Sequence, residues 1–218
     1  AGAANFIYAS SSEIYQLPSR IPTPEDVPGI VPDVKNPRYS YGGGKLIGEL
    51  LTLHYADPKM RRIIFRPHNI YGPQMGWEHV IPQFIKKIAE ISGAFETKKI
   101  ILPIQGQGLE TRAFCYIDDA VDGILAAANK GKSGEIYHVG KDEEITILDL
   151  VGEIGRILDM DIAVQATPLQ AGSTPRRCPD ISKLKLLGYA PGVSLLEGLT
   201  KTIQWYKEVL INDKSYKT

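Results

Sequence analysis

Cysteine, long apolar runs and an excess of charge of one sign are all scarce in this sequence. Only two of its 218 residues are cysteines, which is too few for a disulfide framework, and no His/Cys cluster has zinc-ligand spacing. Lys and Arg number 25, as do Asp and Glu, so no basic field favours nucleic acid or a membrane surface. No apolar run approaches the roughly 18 residues of a membrane span. We therefore expect a reduced, soluble, cytoplasmic protein without a metal site.

A glycine-rich turn is missing after the first predicted strand. The apolar segment Phe6–Ala9 has the pattern of a buried strand, but no G-x-G-x-x-G or G-x-x-G-x-x-G sequence follows it. Such a turn carries the pyrophosphate of a dinucleotide on a helix N-terminus. The glycine cluster Gly42–Gly44 lies within a helical pattern instead. We expect the phosphate end of any dinucleotide site to lie outside these 218 residues.

Strand patterns alternate with helical patterns along the chain, which predicts an α/β fold with a mainly parallel sheet. A proline-rich loop at 17–38 separates the first strand from the first helix. Asp118 and Thr146 are predicted to cap two of the later helices. The predicted strands are 6–9, 62–66, 100–102, 113–117 and 135–139, and the predicted helices include 41–56, 79–91 and those beginning at 118, 146 and 194.

Tyr41 and Lys45 stand four residues apart at the start of a predicted helix, so their side chains share one face. An ammonium beside a phenol favours the phenolate and lowers its pKa, which suits the phenol to acid/base chemistry. Ser10, Ser11 and Ser12 end a predicted strand, where open α/β sheets place ligands. Taken alone, a Tyr and a Lys at this spacing also suit an ordinary helix surface.

Four segments follow one another in a set order: Phe6–Tyr15, Tyr41–Lys45, Arg66–Pro73 and Gly106–Asp119. Together they resemble the extended short-chain dehydrogenase/reductase family, and within it the NAD-dependent nucleotide-sugar epimerases, dehydratases and decarboxylases. The resemblance implies the C-terminal part of a Rossmann-like sheet with a smaller, interwoven substrate-binding lobe. It also implies NAD as cofactor, with NADP left open, a nucleotide-diphospho-sugar substrate and a homodimer.

The resemblance divides the chain into two lobes and a tail. Residues 1–69 and 114–140 correspond to what remains of the dinucleotide-binding domain. Residues 70–113 and 141–210 correspond to the substrate lobe, and 211–218 is expected to be a frayed tail.

The resemblance also implies individual catalytic roles. Tyr41 corresponds to the base that removes a sugar hydroxyl proton, and Lys45 to the residue that binds the nicotinamide ribose and lowers the tyrosine pKa. Ser11 corresponds to the catalytic hydroxyl. Ser12 and Glu13 take places that hold further acid/base groups in dehydratases and decarboxylases. Glu13 is also consistent with a solvated loop charge.

Binding roles follow from the same resemblance. Two guanidinium groups suit a diphosphate because each planar fork bonds two phosphate oxygens. His68 is also consistent with a structural histidine, and the arginines with surface charges. The implied cofactor residues are Ser10, Tyr41, Lys45, Pro67 and His68, and the implied substrate residues are Ser11, Asn69, Arg112 and Arg177.

The implied reaction is oxidation of a sugar hydroxyl, expected at C4, to a ketone, followed by epimerisation or loss of water. Glu13 favours a proton transfer at C5, because plain 4-epimerisation needs no extra base. A decarboxylase of the same family is an alternative. A non-catalytic fragment that binds a nucleotide sugar is a further alternative from a different class.

Overall fold

The computed structural model describes residues 3–168 and 174–212. Short 3-10 helices cover Ser12–Tyr15 and Pro37–Tyr39. The strands in the described ranges are β1 (Asn5–Ala9), β2 (Arg61–Pro67), β3 (Ile70–Tyr71), β4 (Lys99–Gln105), β5 (Thr111–Ala113), β6 (Cys115–Tyr116), β7 (Glu135–Val139), β8 (Glu144–Thr146), β9 (Asp161–Thr167) and β10 (Arg176–Arg177). The helices are α1 (Ser40–His54), α2 (Val80–Ser92), α3 (Ile117–Lys130), α4 (Ile147–Leu158), α5 (Ser182–Lys185) and α6 (Leu195–Asn212).

The chain forms two compact units, each made of three segments. The first unit consists of Ala1–Ile70, Ala113–Glu143 and Arg176–Gly192, and the second of Tyr71–Arg112, Glu144–Pro175 and Val193–Thr218. The sequence-based division placed residues 176–192 in the substrate lobe, whereas in the structure they pack within the first unit. Ile181 and Leu184 of this segment join the core that Val139 of β7 lines. The cofactor and substrate roles of the lobes stay predictions.

The first unit is built on a parallel sheet in the order β1-β2-β7. Ile7 pairs with Ile63, and Ile64 pairs with Ile136. Ile63 and Ile64 point to opposite faces of β2 and both are fully buried, as expected for the central strand of a covered parallel sheet. The predicted α/β class with a mainly parallel sheet is confirmed. The carboxyl ends of the three strands therefore meet at one edge, where this fold class binds ligands.

The second unit contains a parallel pair of strands, β4 and β9, in register over seven residues each. Sequence patterning predicted part of β4 but missed β9. In β9 only Ile162 and Val164 supply β-branched apolar side chains, and both are just partly buried. The alternation between apolar and polar residues is therefore weak. α2 agrees with its prediction, because Ile81, Phe84 and Ile88 lie on one buried face.

Two predicted helix starts have different outcomes. The Asp149 N–H donates to Thr146 Oγ1 at 3.0 Å, which confirms Thr146 as the N-cap of α4. The prediction that Asp118 caps α3 is wrong, because the N-cap is Tyr116 and Asp118 lies in the first turn. A carboxylate there still interacts favourably with the helix dipole, so the sequence signal was displaced by two residues.

The last helix extends further than predicted. α6 continues to Asn212, so residues 211 and 212 of the predicted frayed tail are helical. Residues 213–218 of that tail lie outside the described residues. In the parts of the chain that the structure describes, no helix combines the length and apolar character needed to cross a membrane.

Candidate active site

The candidate site begins at the carboxyl end of β1. Ser10 and Ser11 are both buried there. Ser10 Oγ donates to Glu49 Oε1 at 2.5 Å. Ser11 is the N-cap of the 3-10 helix, and its Oγ accepts the N–H of Glu13 at 3.1 Å. The serine run is therefore an ordered strand end whose two side chains have separate partners.

Helix α1 lies against this strand end through one of its faces. Gly42, Lys45 and Glu49 are spaced at i, i+3 and i+7, which places them on that face. A Cβ at Gly42 would lie 2.9 Å from the main-chain oxygen of Glu13, so a side chain cannot fit without movement of backbone. A Cβ at Gly44 would meet no atom within 4 Å. Close packing therefore accounts for the first glycine of the cluster but not for the third.

The predicted Tyr41–Lys45 pair is brought together by the first turns of α1. Lys45 Nζ lies 5.5 Å from the ring centroid of Tyr41 and 5.6 Å from that of Tyr8. The same ammonium donates to the main-chain oxygen of Ala9 at 2.9 Å. Tyr41 is 56% exposed. The phenol is thus accessible to a reactant, beside a cation that is hydrogen-bonded at the end of β1.

Glu13 and Arg177, predicted to act separately, form an ion pair. Arg177 Nη1 bonds Glu13 Oε1, and Arg177 Nη2 donates to Glu13 Oε2 at 3.2 Å. The side chains are 38% exposed for Glu13 and 16% for Arg177. The fork-to-fork geometry gives Glu13 a charged partner, and its role as an acid/base group or a loop charge stays a prediction. It also shows that the Arg177 guanidinium has the shape and position to hold a carboxylate.

Behind the serines lies a buried polar cluster that sequence analysis did not predict. Arg66, 4% exposed, donates through Nε to Glu49 Oε1 at 2.8 Å and through Nη2 to Glu49 Oε2 at 2.6 Å. Its Nη1 donates to the main-chain oxygen of Glu25 at 3.0 Å and to the Tyr15 hydroxyl. Burial alone would lower the pKa of Arg66, but its hydrogen bonds to Glu49 and the nearby negative groups raise that pKa. Arg66 is therefore a fixed cation at the centre of the cluster.

His138 extends the cluster to β7. Its Nδ1 lies 3.1 Å from the main-chain oxygen of Asp180, and its Nε2 lies 2.7 Å from the Tyr15 hydroxyl. A carbonyl only accepts, so Nδ1 carries the proton and the Tyr15 hydroxyl donates to Nε2. Burial, opposed by Arg66, raises the pKa of Tyr15 to about 12. Burial and then the charge of Arg66 lower the pKa of His138 to about 3, so this imidazole is neutral.

His68 is buried against His138, with ring centroids 4.4 Å apart. Its Nε2 finds no hydrogen-bond partner among the described residues. Burial, followed by the neighbouring His138 and Arg177, lowers the pKa of His68 well below its usual value. The main-chain N–H of His68 donates to the main-chain oxygen of Val139 at 2.9 Å. The side chain thus belongs to the core side of the site, and the predicted backbone contact of Pro67 and His68 with a nicotinamide ribose stays a prediction.

Asn69 and Arg112 both use side-chain donors on main-chain oxygens. Asn69 adopts a left-handed φ of 43° and donates through Nδ2 to Ala113 at 3.1 Å. In the second unit, Arg112 donates through Nη1 to Thr111 at 2.7 Å and through Nη2 to Thr174 at 2.8 Å. These bonds hold both side chains in one orientation. Their predicted substrate roles stay predictions.

Signals for the missed residues exist in the sequence. Glu49 stands one turn after Lys45 on the same helix face, and Arg66 interrupts an apolar strand. Each alone is a common surface pattern, and only the fold shows that the two charges are buried together. His138 lay in a predicted strand without any chemical partner nearby in sequence.

A tyrosine and a lysine on one helix face, at the carboxyl edge of a parallel sheet, form the arrangement that the resemblance to the short-chain dehydrogenase/reductase class implies, and their catalytic role stays a prediction. The model of the NAD dependent epimerase/dehydratase family matches residues 1–140, and the chain belongs to that family. The family that the sequence resembles is thereby confirmed.

Relatives of known activity cover most of this chain. It is 32% identical to a UDP-N-acetyl-alpha-D-glucosaminuronate decarboxylase of Bacillus cytotoxicus, covering 95% of this chain and 65% of that protein. It is also 32% identical to a bovine (Bos taurus) dTDP-D-glucose 4,6-dehydratase, covering 96% of this chain and 58% of that protein. The crystal structure of a Bacillus cereus UDP-glucuronic acid 4-epimerase with UDP-glucuronic acid and NAD superposes with a TM-score of 0.81 at 30% identity, covering 96% and 63% of the two chains. The chain thus spans about three fifths of the length of these relatives.

The residues present fit one end of NAD. The exposed Tyr41 phenol and the Lys45 ammonium, hydrogen-bonded at the end of β1, supply polar groups for the nicotinamide ribose. The 218 residues contain no glycine-rich turn that would hold the pyrophosphate.

Proposed function

We propose that this chain carries the catalytic and substrate-binding part of an NAD-dependent nucleotide-sugar epimerase/dehydratase. The observation that carries the proposal is the exposed Tyr41 phenol beside the Lys45 ammonium, which is hydrogen-bonded at the end of β1. The family membership and the activities of the relatives support it.

In this proposal Tyr41 removes the proton from a sugar hydroxyl at C4. Lys45 supplies the positive charge that this role requires beside the phenol, with its Nζ 5.5 Å from the Tyr41 ring centroid. Ser11 holds the same sugar oxygen by a hydrogen bond. NAD, when bound, would accept the hydride from C4 and would return it later in the cycle. The resulting ketone acidifies the neighbouring C–H. For epimerisation the keto sugar turns and the hydride returns to the other face of C4, whereas for dehydration water leaves first and the hydride then returns to the dehydrated sugar. The family resemblance assigns the diphosphate to Arg112 and Arg177.

The Glu13–Arg177 pair gives Glu13 a conditional role. An anionic group of the substrate competes with Glu13 for Arg177, because both bind the same guanidinium fork. Substrate binding would then release the Glu13 carboxylate for proton transfer at C5.

The alternative of a decarboxylase is favoured by one observation. Arg177 already holds a carboxylate in bidentate geometry, and it is only 16% exposed. A uronic acid substrate would present the same group to Arg177. The ketone at C4 would then make the substrate a β-keto acid, which loses CO2 without a further cofactor.

A homodimer in the cytoplasm is part of the proposal. The outer face of α1 exposes Ile47, Leu50 and Leu51 by 51–59%. An apolar patch of this kind suits a helix of a second copy.

The test uses the full-length gene product, its bound NAD measured after purification, and three substrates: UDP-glucose, UDP-glucuronic acid and dTDP-glucose. Mass spectrometry of the product separates epimerisation, which leaves the mass unchanged, from loss of water or CO2, and NMR identifies the epimer. Conversion of one sugar with retained NAD supports the proposal. Binding of a sugar without conversion would establish the non-catalytic alternative instead.

A further inference from the structure

We infer that Glu49 is a positioning residue, which acts with Arg66 through Ser10 to set the offset between the strand end that carries Ser11 and the helix that carries Tyr41. This inference rests on the proposed function, because it takes Ser11 and Tyr41 as the groups that contact the sugar.

Three contacts next to the serine run define that offset, in addition to the Tyr8 hydroxyl, which donates to the main-chain oxygen of Lys45 at 3.5 Å. Gly42 packs on the main-chain oxygen of Glu13, and Lys45 Nζ bonds the oxygen of Ala9 at 2.9 Å. Glu49 accepts the Ser10 hydroxyl at 2.5 Å. The first contact is steric and the second comes from a long, flexible side chain. Of these three contacts, that of Glu49 is the short, directed side-chain contact that reaches the serine run itself.

Glu49 can perform this role because Arg66 holds its carboxylate in one orientation. Oε1 accepts from both Ser10 Oγ and Arg66 Nε, while Oε2 accepts from Arg66 Nη2 at 2.6 Å. The Glu49 and Arg66 side chains are only 6% and 5% exposed. Both side chains thus have little freedom to turn away from Ser10.

Fold stability alone gives a weak reason for such a pair. Removing two charges from water is costly, and well-packed apolar residues in their place are often as stable or more so. An apolar pair, however, offers no acceptor to Ser10. The distinctive contribution of the pair is therefore directional.

Ser10 transmits this constraint to its neighbour. Its N–H donates to the main-chain oxygen of Phe65 at 2.9 Å, which ties the backbone to β2. Its hydroxyl ties the same residue to α1. Ser11 follows directly, so its hydroxyl is placed relative to both elements. A shift of about 1 Å between reacting groups costs on the order of 100-fold in rate.

The test compares Ser10→Ala and the double variant Glu49→Leu/Arg66→Met in the full-length protein, using the sugar that the screen identifies. We expect kcat to fall about 10-fold or more in both variants, with KM and bound NAD within about two-fold of the parent. The unfolding midpoint should stay nearly unchanged in Ser10→Ala, whereas the double variant also loses the Arg66 hydrogen bonds to Tyr15 and Glu25 and should unfold at a lower midpoint. Glu135→Gln breaks the half-buried Lys183–Glu135 pair of the same unit and is the matched control, with activity unchanged. Ser10→Ala decides the question if the double variant does not fold.

An unchanged kcat in folded Ser10→Ala would overturn the inference. So would a fall in kcat that is explained by a lower fraction of folded protein or by a matching fall in the fraction of protein with bound NAD. Tyr41→Phe is measured in parallel. If Tyr41→Phe is inactive while Ser10→Ala is fully active, the positioning role fails and the proposed function stands. If Tyr41→Phe is fully active, both fail.

Discussion

The exposed first turns of α1 and the buried cluster behind them differ in almost every physical respect. Tyr41 is 56% exposed, whereas Arg66 and Glu49 are each 4% exposed. Lys45 makes one hydrogen bond and lies near two aromatic rings. Arg66, in contrast, donates hydrogen bonds to four acceptor atoms. Reacting groups must be reachable, and the groups that orient them work best where water is excluded.

The comparison also shows why sequence identified one region and not the other. Spacing along one helix brings Tyr41 and Lys45 together, so the pair is visible in a linear pattern. Members of the buried cluster come from the 3-10 helix Ser12–Tyr15, from α1, from β2 and from β7, and only the folded chain makes them neighbours. Motifs therefore mark the reacting surface, whereas its support is set by tertiary packing.

The largest expected effect concerns the exposed surface. We predict that the purified 218-residue chain retains no NAD and turns over no nucleotide sugar. The groups at Tyr41 and Lys45 contact one end of a dinucleotide, and immobilising such a ligand costs several kcal/mol. Calorimetry of the chain with NAD checks this, with the full-length gene product as the control. Micromolar affinity in the 218 residues would mean that other groups hold the phosphates.

The buried cluster is expected to make stability depend on acid pH. The folded pKa of His138, about 3, lies below the ordinary value near 6.5, so its contribution is complete above about pH 6.5 and is lost as pH falls toward 3. At about pH 5 we predict a loss of about 2 kcal/mol in the free energy of unfolding from this group. Urea unfolding of His138→Asn and of the parent, each at about pH 5 and above about pH 6.5, measures this loss.

His54→Asn is the matched control for that prediction, because His54 is exposed on α1. It should retain the acid dependence of the parent. His138→Asn should keep only the part of the acid dependence that buried His68 contributes. An acid dependence equal to that of the parent would show that His138 is not its source.

The smallest expected effects come from two glycines of one cluster, with opposite signs. Gly42→Ala should lower the free energy of unfolding by roughly 1 kcal/mol, because its Cβ meets the Glu13 main-chain oxygen at 2.9 Å. Gly44→Ala should raise it by up to about 1 kcal/mol, because the Cβ enters open space and alanine favours the helix. Thermal unfolding of both variants compares them directly. Equal shifts of the same sign would show that packing on Glu13 does not distinguish the two positions.

Sequence patterning captured the fold at the level of class and of strongly periodic elements. The buried β2 and the amphipathic α2 carry dense apolar patterns, and the cap at Thr146 has a local signature. β9 was missed because its apolar pattern is weak, and Asp118 was misplaced because a carboxylate is favourable throughout a first helical turn. In the site, the ion pair of Glu13 with Arg177 joins residues 164 positions apart, a separation that no spacing rule reaches.

The central claim is that Tyr41 removes the hydroxyl proton of a nucleotide sugar as hydride leaves C4. It is tested most directly by the absorbance of enzyme-bound NADH. The full-length protein and its Tyr41→Phe variant are mixed rapidly with the sugar identified by the screen, with Tyr55→Phe, 82% exposed just after α1, as the matched control. We predict a transient NADH signal in the parent and in Tyr55→Phe, and a rate at least about 100-fold lower in Tyr41→Phe, about 2.7 kcal/mol in barrier height. A Tyr41→Phe variant that forms NADH at more than a tenth of the parent rate would contradict the account.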